Sequence, residues 1–92
     1  MRRIGRVDAN QATIVAALRA VGCTVYVASG CGQGFPDLVV GYKGLTLLLE
    51  VKTLEGKLTP DQKTFFAAWR GSSIAVVRSV PDALAAIGLG AA

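Results

Sequence analysis

The sequence predicts one α/β domain, in which a central mixed β-sheet is flanked by helices in the order α-β-β-β-α-β-α. The 92 residues suffice for one small hydrophobic core and not for two. Apolar residues make up 52% of the chain and charged residues 17%, a composition that excludes a disordered protein. Helical periodicity alternates with short β-branched runs, which is typical of a sheet with helices on its faces. We expect a single domain over residues 1–92, with a basic arm at 1–7 and a loose tail at 88–92.

The first third of the chain predicts a helix, a strand and a loop. The helix is expected over residues 8–21, with Asp8 as its N-cap and Gly22 as its stop. Residues 23–27 are short and β-branched, which favours a strand. Residues 28–36 contain three glycines and a proline, which favours a loop. The apolar face of the helix is formed by Ile14, Val15, Leu18 and Val21.

A β-hairpin follows the glycine-rich loop. Two apolar runs, 37–42 and 45–52, flank a Lys-Gly dipeptide that suits a two-residue turn. With that turn, Asp37 lies directly opposite Glu50, and opposed residues share one face of the sheet with Cβ atoms roughly 4.5–5.5 Å apart. Lys52 lies two positions beyond Glu50 and shares the same face. The hairpin therefore places two carboxylates and a lysine at one end of the sheet.

The second half of the chain predicts a helix, a strand and a short final helix. After a loop at 53–58, Thr59 suits an N-cap and Pro60 the first helical position. Gln62, three residues after Thr59, completes a capping box. The remaining boundaries are a helix end at Arg70 before Gly71, a strand at 73–77 parallel to a neighbour, and a final helix from about Pro81.

The three charges of the hairpin end suit a metal site better than a structural one. Opposed carboxylates destabilise a strand pair unless one binds a proton or a cation lies between them. Two carboxylates helped by backbone carbonyls and water suit Mg²⁺. Lys52 could assist a metal-activated water or stabilise negative charge on a phosphate, so hydrolysis of a phosphodiester fits these residue types best. The structural alternative is an ion pair of Glu50 with Lys52, and Asp37 as a strand terminator.

The composition also excludes several kinds of chemistry. The chain has no histidine, which excludes mechanisms with a histidine base. Cys23 and Cys31 are too few for a zinc site and are interpreted as reduced thiols. No apolar run reaches the roughly 18–20 residues of a membrane helix, and no signal segment follows the basic N-terminus. We therefore expect a cytoplasmic protein.

The chemistry-bearing residues resemble a known nuclease motif. Pro36-Asp37, followed thirteen residues later by Glu50-Val51-Lys52, is similar to the motif of the PD-(D/E)XK nucleases. The segments GFPDLVVGYKG, LLLEVK, KLTPDQ and AVVRSVPDAL resemble more narrowly the VRR-NUC group, in particular its stand-alone phage and prophage members. The resemblance extends from VDANQ to the last helix, and it implies a restriction-endonuclease-like core.

The resemblance implies an activity and a role for each motif residue. Asp37 and Glu50 would bind Mg²⁺, or Mn²⁺ in its place, together with the backbone carbonyl of Val51. Lys52 would be the catalytic lysine, and Gln62 matches a glutamine on the helix that follows the motif. Members of the group are structure-selective deoxyribonucleases, and the small stand-alone members resemble Holliday-junction resolvases that act as homodimers. The implied partners are branched DNA and a second copy of the chain, in a bacterial host or encoded by a phage or prophage.

Residues outside the motif predict further contacts with DNA. The net charge of +4 is compatible with a nucleic-acid partner. The arginines of the N-terminal arm are either a DNA-contacting arm or a solubilising terminus. The candidate DNA-binding residues are Arg2, Arg3, Arg6, Ser29, Gln33 and Lys57.

An aromatic stripe lies on the helix that follows the motif. Phe65, Phe66 and Trp69 follow Gln62 at helical spacing, so all four should face the sheet. We expect the three aromatic side chains to serve in the core or in a dimer interface in preference to stacking on bases. For Gln62, capping alone and capping combined with a site role remain equal alternatives.

The sequence departs from the family pattern in two places. Many relatives carry an acidic residue on the first helix, where this chain has Thr13, with Asn10 and Gln11 nearby. The loop at 53–58 is shorter and less basic than the corresponding loop of the phage members. The alternatives to an active nuclease are an inactive nuclease-fold module that binds DNA or protein, and a structural dimerisation domain.

Overall fold

The computed structural model describes residues 5–89, with side chains from residue 9 onward. The described residues form three helices and four strands in the predicted order α-β-β-β-α-β-α. None of these helices is long and apolar enough to cross a bilayer. The elements are α1 (Gly5–Ala20), β1 (Thr24–Val27), β2 (Leu38–Tyr42), β3 (Leu45–Val51), α2 (Pro60–Ala68), β4 (Ile74–Val77) and α3 (Val80–Ala86).

The four strands form one mixed sheet in the order β1-β2-β3-β4. Strand β2 is antiparallel to both of its neighbours, whereas β4 is parallel to β3, as expected for a strand that follows a helix. In the hairpin, Leu38 pairs with Leu49 and Tyr42 with Leu45, which confirms the predicted register. The turn fits two residues because Lys43 and Gly44 both adopt positive φ angles, 49° and 82°.

The hydrophobic core lies between one face of the sheet and the helices α1 and α3. Helix α1 contributes Ile14 and Leu18, both fully buried. Alternate residues of the hairpin point to this face, as the two-residue period of a strand requires. The sheet and α3 contribute Val25, Leu38, Val40, Leu49, Val51, Val77, Ala83 and Ile87.

The opposite face of the sheet carries Glu50 and is only thinly covered. Helix α2 lies on this side, but none of its residues is buried. One row across this face consists of Tyr26, Val39, Leu48 and Ile74. Leu48 is buried, whereas Tyr26 is 67% exposed. The predicted mixed sheet flanked by helices is therefore confirmed, and its two faces are covered to different degrees.

The strand boundaries agree with the sequence prediction to within one residue, and each of the three helices differs from it at one end or both. Helix α1 begins at Gly5, not at Asp8, and so takes in the end of the predicted arm, because no proline or other breaker interrupts the chain there. Helix α2 ends at Ala68, because Trp69 is already extended (ψ 130°) and its indole Nε1 donates to the carbonyl of Ser72 at 2.8 Å. Helix α3 starts at Val80, since Ser79 provides the N-cap.

The outer edge of the sheet at β1 is partly closed by a side chain. Arg19 in the last turn of α1 donates from Nη2 to the carbonyl of Val25 at 2.9 Å. A charged side chain bound to an edge strand discourages pairing with a strand of another molecule.

Candidate active site

The hairpin brings Asp37 and Glu50 together at one end of the sheet. Asp37 immediately precedes β2, and the register of the hairpin, continued by one residue, places it opposite Glu50. The backbone N–H of Val51 donates to Oδ2 of Asp37 at 3.0 Å, which holds this carboxylate against the end of β3. The side chain of Glu50 is buried, with 2% of its surface exposed. The two carboxyl groups predicted to face each other are thus neighbours.

Lys52 belongs to the same cluster. Its Nζ lies 3.5 Å from Oε2 of Glu50, and the lysine side chain is 15% exposed. Because Lys52 is two residues beyond Glu50, both side chains leave β3 on the same face. The structure therefore assembles the three charged side chains that the sequence predicts.

The environment of Glu50 favours its protonated form. Burial raises the pKa of Glu50, and the negative charge of Asp37 raises it further, while Lys52 lowers it. The result is a pKa of about 7 for Glu50, against an ordinary value of 4.5. At neutral pH a substantial fraction of Glu50 is therefore protonated, because the ammonium group of Lys52 only partly offsets burial and the charge of Asp37.

The donor set fits a small divalent cation. Oε1 of Glu50 is buried and accepts no hydrogen bond from any N–H or O–H group of the described residues, so it can face a cation or share a proton with Asp37. Among the side chains of residues 9–89 no group of three or more His, Cys, Asp or Glu comes together, so an ion here would complete its shell with backbone oxygens and water. Mg²⁺ prefers oxygen ligands and keeps several waters, so two carboxylates are a suitable set for it.

The backbone of β3 offers a further oxygen to such an ion. The N–H of Lys52 donates to the carbonyl of Val77 at 3.0 Å, so the backbone of Lys52 faces β4. Successive residues of a strand face opposite sides, and the N–H of Val51 indeed points to Asp37. The carbonyl of a strand residue points to the same side as its N–H. The carbonyl of Val51 is therefore directed toward the side of Asp37, as the predicted ligand set requires.

Gln62 both caps α2 and contacts the carboxylate pair. Its Oε1 accepts from the N–H of Thr59 at 2.8 Å, and its N–H donates to Oγ1 of Thr59 at 3.2 Å, which completes the predicted capping box. Its Nε2 donates to Oε2 of Glu50 at 2.8 Å. One amide side chain thus holds the N-terminus of α2 against the site.

Among the described side chains of the first helix, the amide of Asn10 reaches this end of the sheet. Thr13 is exposed, and its hydroxyl donates to the carbonyl of Ala9 at 3.0 Å, so it bonds within its own helix. Nδ2 of Asn10 instead donates to the carbonyls of Lys52 at 3.0 Å and Arg78 at 3.3 Å. The resemblance to the family identified Thr13 as the position where many relatives carry an acid. In the structure, the side chain of this helix that bonds to the loop after β3 is that of Asn10.

Arg78 is the residue of this region that the sequence analysis missed. Its Nη1 donates to the carbonyls of Thr53 and Gly56, each at 2.7 Å, and of Leu54 at 3.3 Å. Its own N–H donates to Oδ2 of Asp82 at 2.9 Å. The guanidinium therefore holds the loop that directly follows Lys52. Its position in the sequence could have indicated this role. Arg78 immediately follows β4, which is the parallel neighbour of β3, so it lies at the same end of the sheet as Lys52.

The structure describes the side chains of three of the six candidate DNA-binding residues, and none of these three belongs to the hydrogen-bonded cluster of the site. Arg2 and Arg3 lie outside the described residues, and the side chain of Arg6 does as well. Ser29 and Gln33 are exposed in the loop between β1 and β2. Lys57 is exposed in the loop between β3 and α2.

The fold and the site together define a PD-(D/E)XK-like nuclease domain. An aspartate enters the second strand of the hairpin sheet, a Glu-x-Lys segment ends the third, and a glutamine from the next helix bonds to the glutamate. The family model of the VRR-NUC domain matches residues 4–81, and the chain belongs to this family. Membership indicates a nuclease-type module that binds and cleaves DNA. The comparisons with curated proteins and with solved structures gave no significant match.

Proposed function

We propose that this chain is a Mg²⁺-dependent endodeoxyribonuclease that hydrolyses phosphodiester bonds in branched DNA of the Holliday-junction type. The observation that supports the proposal best is the carboxylate pair. Glu50 is buried beside Asp37, and its Oε1 has no hydrogen-bond partner among the described residues. The Nζ of Lys52 lies 3.5 Å from Oε2 of Glu50. An acid pair with a buried glutamate and an adjacent lysine suits chemistry on a phosphate better than it suits a purely structural sheet end.

Each residue of the site has a distinct task in this mechanism. Asp37, Glu50 and the carbonyl of Val51 would hold the ion. When bound, Mg²⁺ supplies positive charge that lowers the pKa of water and polarises the phosphate. The ammonium group of Lys52 stabilises the negative charge that builds on the phosphate oxygens in the transition state. Gln62 fixes the orientation of Glu50 through its 2.8 Å hydrogen bond.

The decisive assay is cleavage of a labelled four-way junction with Mg²⁺, with Mn²⁺ and with EDTA. The wild-type chain should cleave only with a metal. Asp37→Ala and Glu50→Gln should each lower the rate roughly 100-fold or more. Glu55→Gln, a substitution of an exposed acid in the neighbouring loop, is the matched control and should leave the rate unchanged. Equal cleavage by the wild-type chain and Asp37→Ala would remove the catalytic proposal.

Cutting two strands symmetrically requires two sites, and we propose a homodimer. Exposed apolar side chains support an association of copies, among them Tyr26 at 67% and Trp69 at 39% exposure. Light scattering at assay concentration should give twice the chain mass of 9.5 kDa. A monomer that cuts junctions and linear duplexes at equal rates would contradict both the dimer and the preference for branched DNA.

The alternative function is an inactive nuclease-fold module that binds DNA or protein. The observation that favours it is Thr13, which stands where many relatives carry an acid, bonds within its own helix and offers no carboxylate to Mg²⁺. Binding of the junction in EDTA with no cleavage in Mg²⁺ or Mn²⁺ would favour this alternative.

A further inference from the structure

A groove lies between the glycine-rich loop and α2, on the face of the sheet that carries the candidate active site. It consists of two adjoining cavities of about 250 and 290 Å³, and both have Gln33 and Phe65 in their walls. The first cavity is otherwise lined by Cys31, Gly32 and Phe35, and the second by Asp61, Thr64 and Ala68.

The loop wall of the groove is held in an unusual backbone conformation. Gly32, Gln33 and Gly34 have φ angles of 77°, 56° and 81°. A Cβ atom on Gly34 would collide with the carbonyl oxygen of Asp61, so only glycine permits this close approach to the first turn of α2. Gln33 is not a glycine, and a left-handed residue of this kind costs on the order of 1 kcal/mol. The fold thus places an amide side chain in the groove wall at the expense of backbone strain.

The helix wall of the groove presents an aromatic ring. Phe65 is half-buried, and its ring makes an edge contact with Phe35 at 5.4 Å between centroids. On its other side it stacks on Trp69 at 5.5 Å, with the rings inclined by 27°. These contacts fix the position of the Phe65 ring and leave part of it facing the groove.

The chemistry of the walls selects one class of DNA component. Among the side chains that the structure describes, no lysine or arginine lines either cavity, and the carboxylate of Asp61 would repel a phosphate. Aromatic rings with amide and hydroxyl groups suit a flat, neutral ring with polar edges, which describes a nucleobase. Asp61 lines the groove and directly precedes Gln62, which bonds to Glu50, so the groove and the carboxylate pair are connected by adjacent residues of α2.

We propose that the groove receives one unpaired nucleobase of the DNA substrate, stacked against Phe65 with its polar edge toward Gln33. This inference rests on the proposed function and specifies the substrate class. A base can enter only after leaving its stack, which costs least at a branch point or in a single strand. The groove would therefore select DNA with unpaired bases beside the cut site.

The test is a double-mutant cycle between protein and DNA. Forked DNAs with a single abasic nucleotide, placed in turn at each position around the branch, are titrated with the Asp37→Asn chain in EDTA, so that binding is measured without cleavage. At one position the abasic substitution should weaken binding roughly 5- to 100-fold when Phe65 is present. With Phe65→Ala the same substitution should have no further effect, because the stacking partner is already absent.

Two further variants keep the test decisive. Gln33→Gly removes the amide and relieves the left-handed strain, so it should fold at least as stably and reduce the effect of the same abasic position. Ala67→Ser, an exposed substitution on the same helix away from the groove, should retain the full effect. Additive effects at every position would overturn the proposal, and so would a change from dimer to monomer on Phe65→Ala, which would show that a second copy fills the groove.

The two proposals can fail separately. Coupling between Phe65 and one base without cleavage in Mg²⁺ would overturn the proposed nuclease activity and support the groove. Cleavage by the wild-type chain with no coupling would overturn the groove and support the nuclease.

Discussion

The carboxyl group of Glu50 binds its proton more tightly in the folded chain than in the unfolded one. Its pKa rises from 4.5 to about 7 on folding, chiefly because the group is buried and also because Asp37 is close. As the pH rises through this interval, the unfolded chain loses the proton first. The contribution of Glu50 to the free energy of unfolding is therefore largest below about pH 4.5, falls as the pH rises to about 7, and is constant above that.

Glu50→Gln should separate this effect from catalysis. In EDTA at about pH 8 the variant should be more stable than the wild-type chain by on the order of 1–3 kcal/mol, because it removes a buried charge. At about pH 4 the difference should vanish, since Glu50 is then neutral. Urea unfolding followed by circular dichroism measures both values, with Glu55→Gln as the control. A stability difference that does not change with pH would contradict the assignment.

For individual residues, the sequence predicts the charged cluster but not the hydrogen bonds that surround it. The positions of Asp37, Glu50 and Lys52 follow from the turn and the two-residue period of a strand, which are local rules. The bonds of Asn10 and Arg78 to the loop after β3 depend on how separate elements pack, and no local pattern encodes them. For the same reason the hydrogen bond from Gln62 to Glu50 remained one of two alternatives.

In helix α2, the N-cap and the active-site contact of Gln62 can be tested separately. Thr59→Ala removes only the cap, so it should lower stability by about 1 kcal/mol and leave the cleavage rate nearly unchanged. Gln62→Glu retains an acceptor for the N–H of Thr59, yet it replaces the donor to Glu50 with a carboxylate. It should therefore fold and lose most of its activity, roughly 10- to 100-fold.

Comparing these two variants in one cleavage assay and one thermal melt distinguishes the two roles. If Gln62→Glu cleaves as fast as Thr59→Ala, then Gln62 acts only as a cap.

The loop after β3 should depend on Arg78. Arg78→Ala removes the donor to three carbonyls, which leaves the loop free to move and should lower stability by about 1–3 kcal/mol. Because the loop begins at the residue after Lys52, the cleavage rate should fall more than the affinity for DNA. Arg78→Lys should restore part of the rate, since an ammonium can still reach some of the carbonyls.

Steady-state cleavage and binding in EDTA measure the two effects of Arg78→Ala separately. Loss of affinity with an unchanged rate at saturating DNA would indicate that Arg78 contacts DNA instead of holding the loop.

Element boundaries were predictable where a cap or turn residue determines them. The hairpin turn and the start of α2 have unambiguous local signals, and both are confirmed. The start of α1 was misplaced because Asp8 is a good N-cap by type, but the helix simply continues through it to Gly5. The end of α2 is set by the side-chain bond of Trp69, which sequence periodicity does not reveal.

For the whole molecule, the two faces of the sheet differ far more than the sequence suggests. Alternating apolar residues occur on both faces of the hairpin, so the pattern predicts two covered faces. The observed core uses α1 and α3 on one face, while α2 leaves Tyr26 and Trp69 exposed on the other. The pattern reports that a residue is apolar and not whether a helix, DNA or a second copy covers it.

Because of the position of Trp69, urea unfolding followed by fluorescence and by circular dichroism should give two different transition curves. It is the only tryptophan, it stacks on Phe65 at the end of α2, and no residue of α2 is buried. Its fluorescence therefore reports on α2 and the turn that follows it, whereas far-ultraviolet circular dichroism reports on all helices. We expect the emission to shift at a lower urea concentration than the dichroism, because a helix with few buried contacts opens before the core does. Coincident transitions would show instead that α2 and the core melt as one cooperative unit.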